Sequence, residues 1–301
     1  MIARSEQGYP YLGESARAVI DFDNESRIRF LGEPRWIGYS KATAILKRLQ
    51  ELTEHPHHTR VPNMLIVGEP ANGKTTIVSH FNEIHGQSSQ DANGDPVRPV
   101  ILAQAPPSAD EKALYISILE QFWMPYRASE PVVRLRYQVL HLMRTCHVRI
   151  LIIDELHSVL TGTALKQREV MNALKLLCNE LCIPIIGVGT RDAVRVLHTD
   201  PQHASRFDVV PLPPWTLDAE FQRLLASFEQ VLPLRRASTL HTPELARTLH
   251  YLSEGNIGNL SRLLSACARA AIESGEERIT PEIIEKNAWI RSRDGIREVT
   301  L

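Results

Sequence analysis

The sequence predicts an α/β protein in which a three-layer αβα domain with a five-stranded parallel sheet precedes a small, all-helical lid domain. Between residues 64 and 212, short apolar runs alternate with segments of helical periodicity. The apolar runs lack the polar–apolar alternation of half-exposed strands, as expected for parallel strands covered by helices on both faces. After residue 213 the strand patterns stop, and helical patterns follow.

Five apolar runs are the predicted strands, and helical patterns fill the segments between them. The strands are expected at residues 64–67, 99–105, 149–154, 183–189 and 207–212. Helices of this domain are expected at residues 40–55, 74–85, 108–123, 131–147 and 164–182. Helices of the next domain are expected at residues 217–232, 242–254, 259–274 and 280–292. Ser40 and Ser108 suit helix caps, and Thr-Pro-Glu begins two of the later helices.

Composition and the order of the predicted elements give the domain boundaries and the broad class of the protein. We expect an N-terminal arm at 1–30, the αβα core at 31–213, the lid domain at 214–291 and a tail at 292–301. The net charge of −1, from 34 basic and 35 acidic side chains, excludes a wholly basic nucleic-acid coat but not a local basic patch. No apolar run approaches the ~20 residues of a membrane helix. Without a signal-peptide pattern, a cytoplasmic protein with no membrane partner is expected.

The segment from Gly68 to Thr75 fits the phosphate-binding pattern G-x-x-x-x-G-K-[ST], between a predicted strand and a predicted helix. Such a loop turns consecutive N–H groups inward around phosphate oxygens, at the positive end of the following helix. We expect ATP to bind here, with Lys74 on the β- and γ-phosphates and the Thr75 hydroxyl on Mg²⁺. The candidate ATP-binding residues are Gly68, Glu69, Pro70, Ala71, Asn72, Gly73, Lys74, Thr75 and Thr76.

An acidic pair ends the third predicted strand, in "RILIIDE" at residues 149–155. Asp154 is expected to hold the Mg²⁺ shell, and Glu155 is expected to polarise the water that attacks the γ-phosphate. An acidic pair at a strand end also fits a helix cap. Its position after a phosphate-binding loop, with one predicted strand between, favours the catalytic interpretation.

Three further candidates follow from what ATP hydrolysis requires. Thr190, at the end of the fourth strand, could hydrogen-bond the attacking water or the γ-phosphate. Arg206, just before the fifth strand, could complete a neighbouring subunit's site, although a surface salt bridge is the alternative. Arg262, in the lid, could reach the nucleotide or lie on a solvated helix face.

In this order the motifs resemble those of AAA+ ATPases, and the likeness covers about residues 31–290. A narrower likeness lies in "RWIGYSKATAILKRLQEL" and "RVPNMLIVGEPANGKTTIVSHF", which are similar to the TniB/TnsC family of transposition ATPases. The resemblance implies an ATP-dependent regulator that binds double-stranded target DNA and oligomerises on it. It also implies recruitment or stimulation of a DDE-type, TniA-like transposase, and contact with a TniQ-type target-selection protein.

The resemblance carries two further implications for individual residues. The segment before the phosphate-binding loop helps to form an adenine pocket in such proteins, which points here to Trp36, Ile37 and Gly38. Many AAA+ proteins also have a Gly-x-x-Arg pattern in the lid. Here Gly258 stands where that arginine is expected, and Arg262, one turn later, is the candidate substitute.

The resemblance to AAA+ proteins also implies that contacts to duplex DNA come from the part of the chain after the second strand and around the third helix. Each basic side chain there also fits an ordinary solvated helix face. The candidates are Lys112, Arg127, Arg134 and Arg136. Two other classes of function stay open: a nucleotide-gated scaffold that never contacts DNA, and a helicase loader that prefers single strands.

Overall fold

The structure is a computed structural model, which describes residues 9–56, 61–127, 129–198, 204–288, 290–291 and 297–298. The chain divides into two compact units. The sheet unit comprises residues 41–213, and the helical unit comprises residues 1–40 together with 214–301. Within the described residues, no helix is both long enough and apolar enough to span a membrane.

The described part of the sheet unit contains one parallel sheet of five strands, as predicted. The strands are β1 (Asn63–Gly68), β2 (Val100–Gln104), β3 (Ile150–Asp154), β4 (Ile185–Gly189) and β5 (Phe207–Leu212). Their order across the sheet is β2-β3-β4-β1-β5. Because all five are parallel, their carboxyl ends lie at one edge, where loops from different parts of the chain meet.

Helices occupy most of the chain between and after the strands. In chain order they are α1 (Glu14–Val19), α2 (Asn24–Leu31), α3 (Ser40–Thr53), α4 (Lys74–His85), α5 (Glu111–Glu120), α6 (Val132–Thr145), α7 (Ala164–Leu181), α8 (Ala193–Leu197), α9 (Ala219–Val231), α10 (Pro243–Ser253), α11 (Ile257–Ser274) and α12 (Pro281–Asn287). The predicted αβα architecture, with helices after the sheet, is therefore confirmed.

The core of the sheet unit is built from the apolar strands and three of the helices. Every residue of β1, β3 and β4 is buried, which explains why their sequences show no polar alternation. On α7 the buried residues Val170, Leu174 and Leu177 recur at helical spacing and join a cluster with side chains of α5 and α6. This packing fixes the carboxyl edge of the sheet as a rigid platform.

Three short elements of the sheet unit are absent from the sequence prediction. A hairpin pairs Ser89–Gln90 with Pro96–Val97, a 3₁₀ helix covers Leu156–Thr161, and α8 covers Ala193–Leu197. Each spans two to six residues, which is too short for a hydrophobic period to appear.

The helical unit has its own core, formed where α9, α10, α11 and α12 meet. Phe221, Leu249 and Leu263 are fully buried in it. The last helix ends at Asn287, five residues before its predicted end, and Ile290–Arg291 then pairs antiparallel with Arg297–Glu298. The other residues of the predicted tail lie outside the described residues.

The N-terminal segment contains two helices, which pack on other helices of the helical unit. Helix α1 packs on α9, and α2 packs on α11. The backbone N–H of Gly13 donates to the carbonyl oxygen of Gln230 at 2.8 Å. Residues up to Ser40 therefore group with the helical unit, and the sheet unit begins at residue 41 rather than 31. Residues 1–8 of the predicted arm lie outside the described residues.

A buried ion pair holds α2 on the helical unit. Arg27 is fully buried, and its two terminal nitrogens each donate to a carboxylate oxygen of Glu277 at 2.7 Å. Nη1 of Arg27 also donates to the Pro233 carbonyl oxygen at 3.1 Å. Burial acts to raise the pKa of Glu277, but the hydrogen bonds and positive charges of Arg27 and Arg235 together outweigh it, so that this pKa lies below the ordinary glutamate value.

Replacing Arg27 with alanine is expected to lower the free energy of unfolding by about 3 kcal/mol, because Glu277 loses its buried partner and keeps the half-exposed Arg235, at 3.6 Å, and the backbone N–H of that residue. Urea unfolding followed by circular dichroism measures the change. Because the pKa of Glu277 is lowered on folding, the pair stabilises the fold above the unfolded-state pKa. That stabilisation is lost as the pH falls through the folded-state value, so the gap between wild type and variant should shrink in acid.

Arg29→Ala is the matched control for the Arg27 experiment. Arg29 lies on the same helix and pairs with Glu25, but both side chains are largely exposed. Its removal is expected to cost less than about 1 kcal/mol. Equal effects of the two substitutions would contradict a structural role for the buried pair.

Candidate functional site

The predicted phosphate-binding loop joins β1 to α4 at the carboxyl edge of the sheet. Gly73, immediately before α4, has a φ of 84°, a left-handed conformation that favours glycine. At the start of the loop, a Cβ atom on Gly68 would lie 2.5 Å from the carbonyl oxygen of Leu212. One glycine is therefore required by backbone conformation, and the other by close packing against β5.

The side chain of Lys74 folds back over this loop. Only 6% of the residue is exposed. Its Nζ donates hydrogen bonds to the carbonyl oxygens of Gly68 (2.9 Å) and Glu69 (2.8 Å). Burial lowers the pKa of Lys74, while the carboxylates of Glu155, Asp154 and Glu69 act to raise it. A lysine ammonium group thus lies at the centre of the loop with carboxylates around it.

The end of β3 reaches the first turn of α4. The Thr75 hydroxyl donates to Oδ2 of Asp154 at 2.7 Å, and the backbone N–H of Glu155 donates to Oδ1 of Asp154 at 2.8 Å. Asp154 is buried, with 7% of its surface exposed. Strand β4 separates β3 from β1 in the sheet, so this contact depends on strand order and not on proximity in sequence.

Glu155 is held in an uncommon backbone conformation. Its φ of 56° and ψ of 32° are left-handed, a region that costs a non-glycine residue about 1–3 kcal/mol. The 3₁₀ helix begins at the next residue, and the Glu155 side chain is 42% exposed. The strained turn presents the carboxylate at the mouth of the site instead of continuing the strand.

Thr190 is brought to the same edge, and a histidine links it to Glu155. Gly189, the last residue of β4, pairs with Val67 of β1, so Thr190 follows directly beside the loop. The backbone N–H of Thr190 donates to Nδ1 of His157 at 3.4 Å. The other ring nitrogen, Nε2, lies 3.3 Å from Oε2 of Glu155. His157 was not among the sequence candidates, and its position in an unpredicted 3₁₀ helix left no periodic signal.

A cavity of about 400 Å³ opens beside the acidic pair. Gln104, the last residue of β2, pairs with Asp154 of β3, and Gln121 follows α5 directly. Neither glutamine was predicted to be a site residue. The lining residues are Thr75, Leu102, Ala103, Gln104, Gln121, Asp154 and Glu155.

The loop also makes contacts away from the cavity. The Asn72 side-chain amide donates to the carbonyl oxygens of Leu212 (2.9 Å) and Pro213 (3.0 Å), which ties the loop to the end of β5. Glu69 pairs with Arg191 at 3.5 Å, although both side chains are largely exposed. The exposed residues of the predicted ATP-binding segment are Glu69, Pro70, Ala71, Thr75 and Thr76.

Arg206 lies at the amino ends of the strands, opposite the carboxyl ends where the phosphate-binding loop lies. It directly precedes β5, and its carbonyl oxygen accepts from the N–H of Asn63 at the start of β1. Strand β1 spans six residues, which at ~3.3 Å per residue puts Arg206 about 20 Å from the loop of its own chain. Its guanidinium Nη1 donates to Oδ1 of Asn179 on α7 at 2.8 Å.

Four residues that were predicted to contact the nucleotide belong to the helical unit. They are Trp36, Ile37, Gly38 and Arg262. Ile37 packs against the core of that unit, and Arg262 is exposed on α11. In the first turn of α11, the N–H of Gly258 donates to the capping side chain of Asn256 at 3.0 Å. Nucleotide contact by the four residues stays a prediction.

The predicted DNA-contacting residues lie on α5, α6 and the segment between them. Arg127 is exposed between the two helices, and Arg134 is exposed on α6 at 4.0 Å from the carboxylate of Glu130. Lys112 and Arg136 lie on the same two helices and are partly buried. Two aromatic residues that were not predicted, Trp123 and Tyr137, are exposed nearby in sequence, at 91% and 68%.

A family model identifies the chain. Residues 27–217, more than half of the 301, match the family described as bacterial TniB protein. The chain belongs to the TniB family. The match spans the whole sheet unit, including the phosphate-binding loop, the acidic pair and Thr190. The resemblance drawn from the sequence is therefore confirmed.

Solved structures share the fold of this TniB-family chain. Cdc6p from Pyrobaculum aerophilum is similar with a TM-score of 0.61 and 16% identity, over 85% of this chain and 69% of that chain. Aeropyrum pernix ORC1, solved in complex with DNA, gives 0.60 and 16%, over 87% and 68%. Aeropyrum pernix ORC2, solved as ADPNP–ADP complexes, gives 0.57 and 16%, over 86% and 71%. At such identities the likeness shows the AAA+ fold alone. No curated protein matches the chain.

Proposed function

We propose that this TniB-family chain is an ATP-dependent regulator of DNA transposition that assembles on duplex target DNA. One arrangement carries the proposal: a buried lysine over a phosphate-binding loop, a Thr75–Asp154 contact of 2.7 Å, and Glu155 beside them, in a member of the TniB family. In this proposal the assembly recruits or activates a DDE-type, TniA-like transposase and is guided by a TniQ-type protein.

The donor set of the site fits a nucleoside triphosphate with Mg²⁺. The left-handed Gly73 and the start of α4 suit a loop whose N–H groups surround phosphate oxygens. The Thr75 hydroxyl and the Asp154 carboxylate provide the oxygen donors that Mg²⁺ prefers, and Mg²⁺ sites commonly use one or two protein ligands with the phosphates. When bound, Mg²⁺ would neutralise charge that develops on the transferred phosphoryl group.

Three side chains around the loop have separate roles in ATP hydrolysis. Lys74 binds the β- and γ-phosphates through its ammonium group, in place of the two carbonyl oxygens that it now contacts. The Glu155 carboxylate accepts a hydrogen bond from the attacking water and draws its proton. The Thr190 hydroxyl, at the end of β4, orients that water or the γ-phosphate.

Assembly completes the site in this proposal. Arg206 lies about 20 Å from the loop of its own chain by strand length, so a role in hydrolysis requires that it serve a neighbouring subunit. An arginine supplied in this way stabilises the charge of the transition state. ATP would then favour the assembled state by joining two subunits, and hydrolysis would release them. We propose that Trp36, Ile37, Gly38 and Arg262 also contact the nucleotide.

DNA binding is proposed for the surface of α5, α6 and their connecting segment, where Arg127, Arg134, Trp123 and Tyr137 are exposed. Arginines contact phosphates, and exposed apolar rings can add wedge contacts between base steps of a duplex. Such contacts are independent of sequence, and affinity falls as salt rises because counterions are released. This fits a protein that coats target DNA while a separate factor chooses the site.

Arg206→Ala tests the shared site. We expect DNA-stimulated ATP turnover to fall by about 10³-fold or more, while nucleotide affinity changes by less than about threefold. Steady-state hydrolysis, measured against protein concentration with and without duplex DNA, gives the first quantity, and a fluorescent nucleotide gives the second. Turnover that depends on neither protein concentration nor DNA in the wild type would contradict the proposed assembly.

Asn179→Ala is the control for Arg206→Ala. It removes one hydrogen-bond partner of Arg206, the Asn179 side-chain oxygen, and keeps the guanidinium. If Arg206 acts only by tying the start of β5 to α7, both variants lose the same activity. If Arg206 serves a neighbouring subunit, Asn179→Ala keeps most of it.

A further inference from the structure

His157 lies between the proposed general base and the end of β4. We propose that His157 is a positioning residue for ATP hydrolysis, which holds the Glu155 carboxylate in a fixed relation to Thr190. This inference rests on the proposed ATPase function and adds a residue to it. The juxtaposition that carries it is one imidazole ring in contact with Glu155 on one side and with the backbone of Thr190 on the other.

The two contacts require one form of the ring. Because Nδ1 of His157 accepts from the Thr190 N–H at 3.4 Å, it carries no proton. The proton of the neutral ring is then on Nε2, which lies 3.3 Å from Oε2 of Glu155. A neutral histidine in this single tautomer satisfies both neighbours at once, so the ring works as a rigid spacer between them.

The ring can approach β4 because β4 contains two glycines. A Cβ atom on Gly189 would lie 3.2 Å from Nδ1 of His157 and 3.3 Å from its backbone nitrogen. A Cβ atom on Gly187 would lie 2.6 Å from Cδ2 of Leu156, which is buried. The 3₁₀ helix therefore packs directly on β4, and the Glu155–His157 segment is held against the strand that ends at Thr190.

Glu155 needs such support because of how it is presented. Its backbone is in a left-handed turn, and its side chain is 42% exposed. An exposed carboxylate on a turn has several rotamers open to it, of which only a part can reach the attacking water. A polar contact at 3.3 Å with a ring that also contacts the Thr190 backbone selects among them. Such positioning changes the rate of the chemical step and leaves ATP affinity unchanged.

Three substitutions of His157 separate the two contacts. His157→Ala is expected to lower kcat by about 10- to 100-fold, with nucleotide Kd changed by less than about twofold. His157→Gln places an amide N–H near the position of Nε2, keeps the contact to Glu155 and should recover most of the rate. His157→Asn places its amide oxygen near Nδ1, where it can accept from the Thr190 N–H alone, and should stay slow. If the alanine variant fails to fold, the glutamine and asparagine variants make the same comparison.

His80→Ala is a matched control, and a double variant tests whether His157 acts through Glu155. His80 on α4 lies 3.7 Å from Glu83, outside the site, and His80→Ala should leave kcat unchanged. If His157 acts through Glu155, then the double variant E155Q/H157A should be no slower than E155Q alone, because residues that act as a unit are not additive.

Each outcome bears on one of the two proposals. A wild-type protein that hydrolyses ATP, with H157A at the same kcat, would overturn the positioning role and leave the proposed function intact. Additive losses in the double variant, or a loss confined to Kd, would also overturn it. A wild-type protein that hydrolyses no ATP with Mg²⁺ and DNA present would overturn the proposed function, and the positioning role with it.

Discussion

Replacing Glu155 with glutamine is expected to slow ATP turnover by about 10²- to 10⁴-fold while nucleotide affinity stays the same within about twofold. Glutamine keeps the shape of the side chain and can still accept a hydrogen bond from Nε2 of His157, which lies 3.3 Å from Oε2 of Glu155. It lacks the basicity needed to draw a proton from the attacking water. Single-turnover hydrolysis of pre-bound ATP measures this effect directly.

The same variant should change the lifetime of the assembly. If hydrolysis releases subunits, E155Q should form ATP-bound oligomers that persist on duplex DNA, while the wild type disassembles as ATP is consumed. Glu83→Gln, which alters a surface glutamate on α4, is the control and should behave as wild type. Unchanged turnover and disassembly in E155Q would refute the proposed role of hydrolysis.

Replacing Lys74 with alanine is expected to weaken ATP binding by about 100-fold or more, since charge-assisted contacts to the phosphates are lost. The ammonium is buried and already placed over the loop by the carbonyl oxygens of Gly68 and Glu69, so little ordering is needed when phosphates take their place. Titration with a fluorescent ATP analogue gives the affinity. Assembly on DNA should be lost together with ATP binding, because the proposed interface between subunits would then lack its nucleotide.

Lys166→Ala is the matched control for Lys74→Ala. Lys166 is a half-exposed lysine at the start of α7, paired with Glu169 at 2.8 Å, and it lies outside the loop. Its removal should leave ATP affinity unchanged. Near-wild-type affinity in K74A would show that nucleotide binds elsewhere or not at all.

The phosphate-binding loop was predictable because its constraints are local. The two glycines, the lysine and the threonine lie within eight residues, and the apolar strand before them and the helix after them are visible in the same window. The contact of Thr75 with Asp154 joins residues 79 positions apart. It could be expected only because a parallel sheet gathers the ends of its strands at one edge.

His157 shows where sequence reasoning stops. Its value comes from two contacts, one with Glu155 two residues before it and one with Thr190 on a different strand. The second depends on β4 lying next to β3 and on the glycines that let the 3₁₀ helix approach. None of these conditions leaves a pattern in the residues around position 157.

The N-terminal segment illustrates the same limit for the fold. A polar stretch with Gly8, Pro10 and Gly13 predicts an N-terminal arm. The structure buries Arg27 because Glu277, 250 residues later, supplies a carboxylate in the same core. A pairing over that distance reflects packing between helices, which local periodicity does not encode.

Sedimentation of the purified chain with duplex DNA, in parallel samples containing a non-hydrolysable ATP analogue, ADP or no nucleotide, examines the proposed nucleotide-gated assembly. We expect large, DNA-bound oligomers with the analogue, at low salt, and their loss with ADP or in K74A. Their affinity for DNA should fall steeply as salt is raised, because many phosphate contacts hold the oligomers on the duplex. Equal sedimentation in all three nucleotide conditions, or no association with DNA at low salt, would contradict an ATP-gated assembly on target DNA.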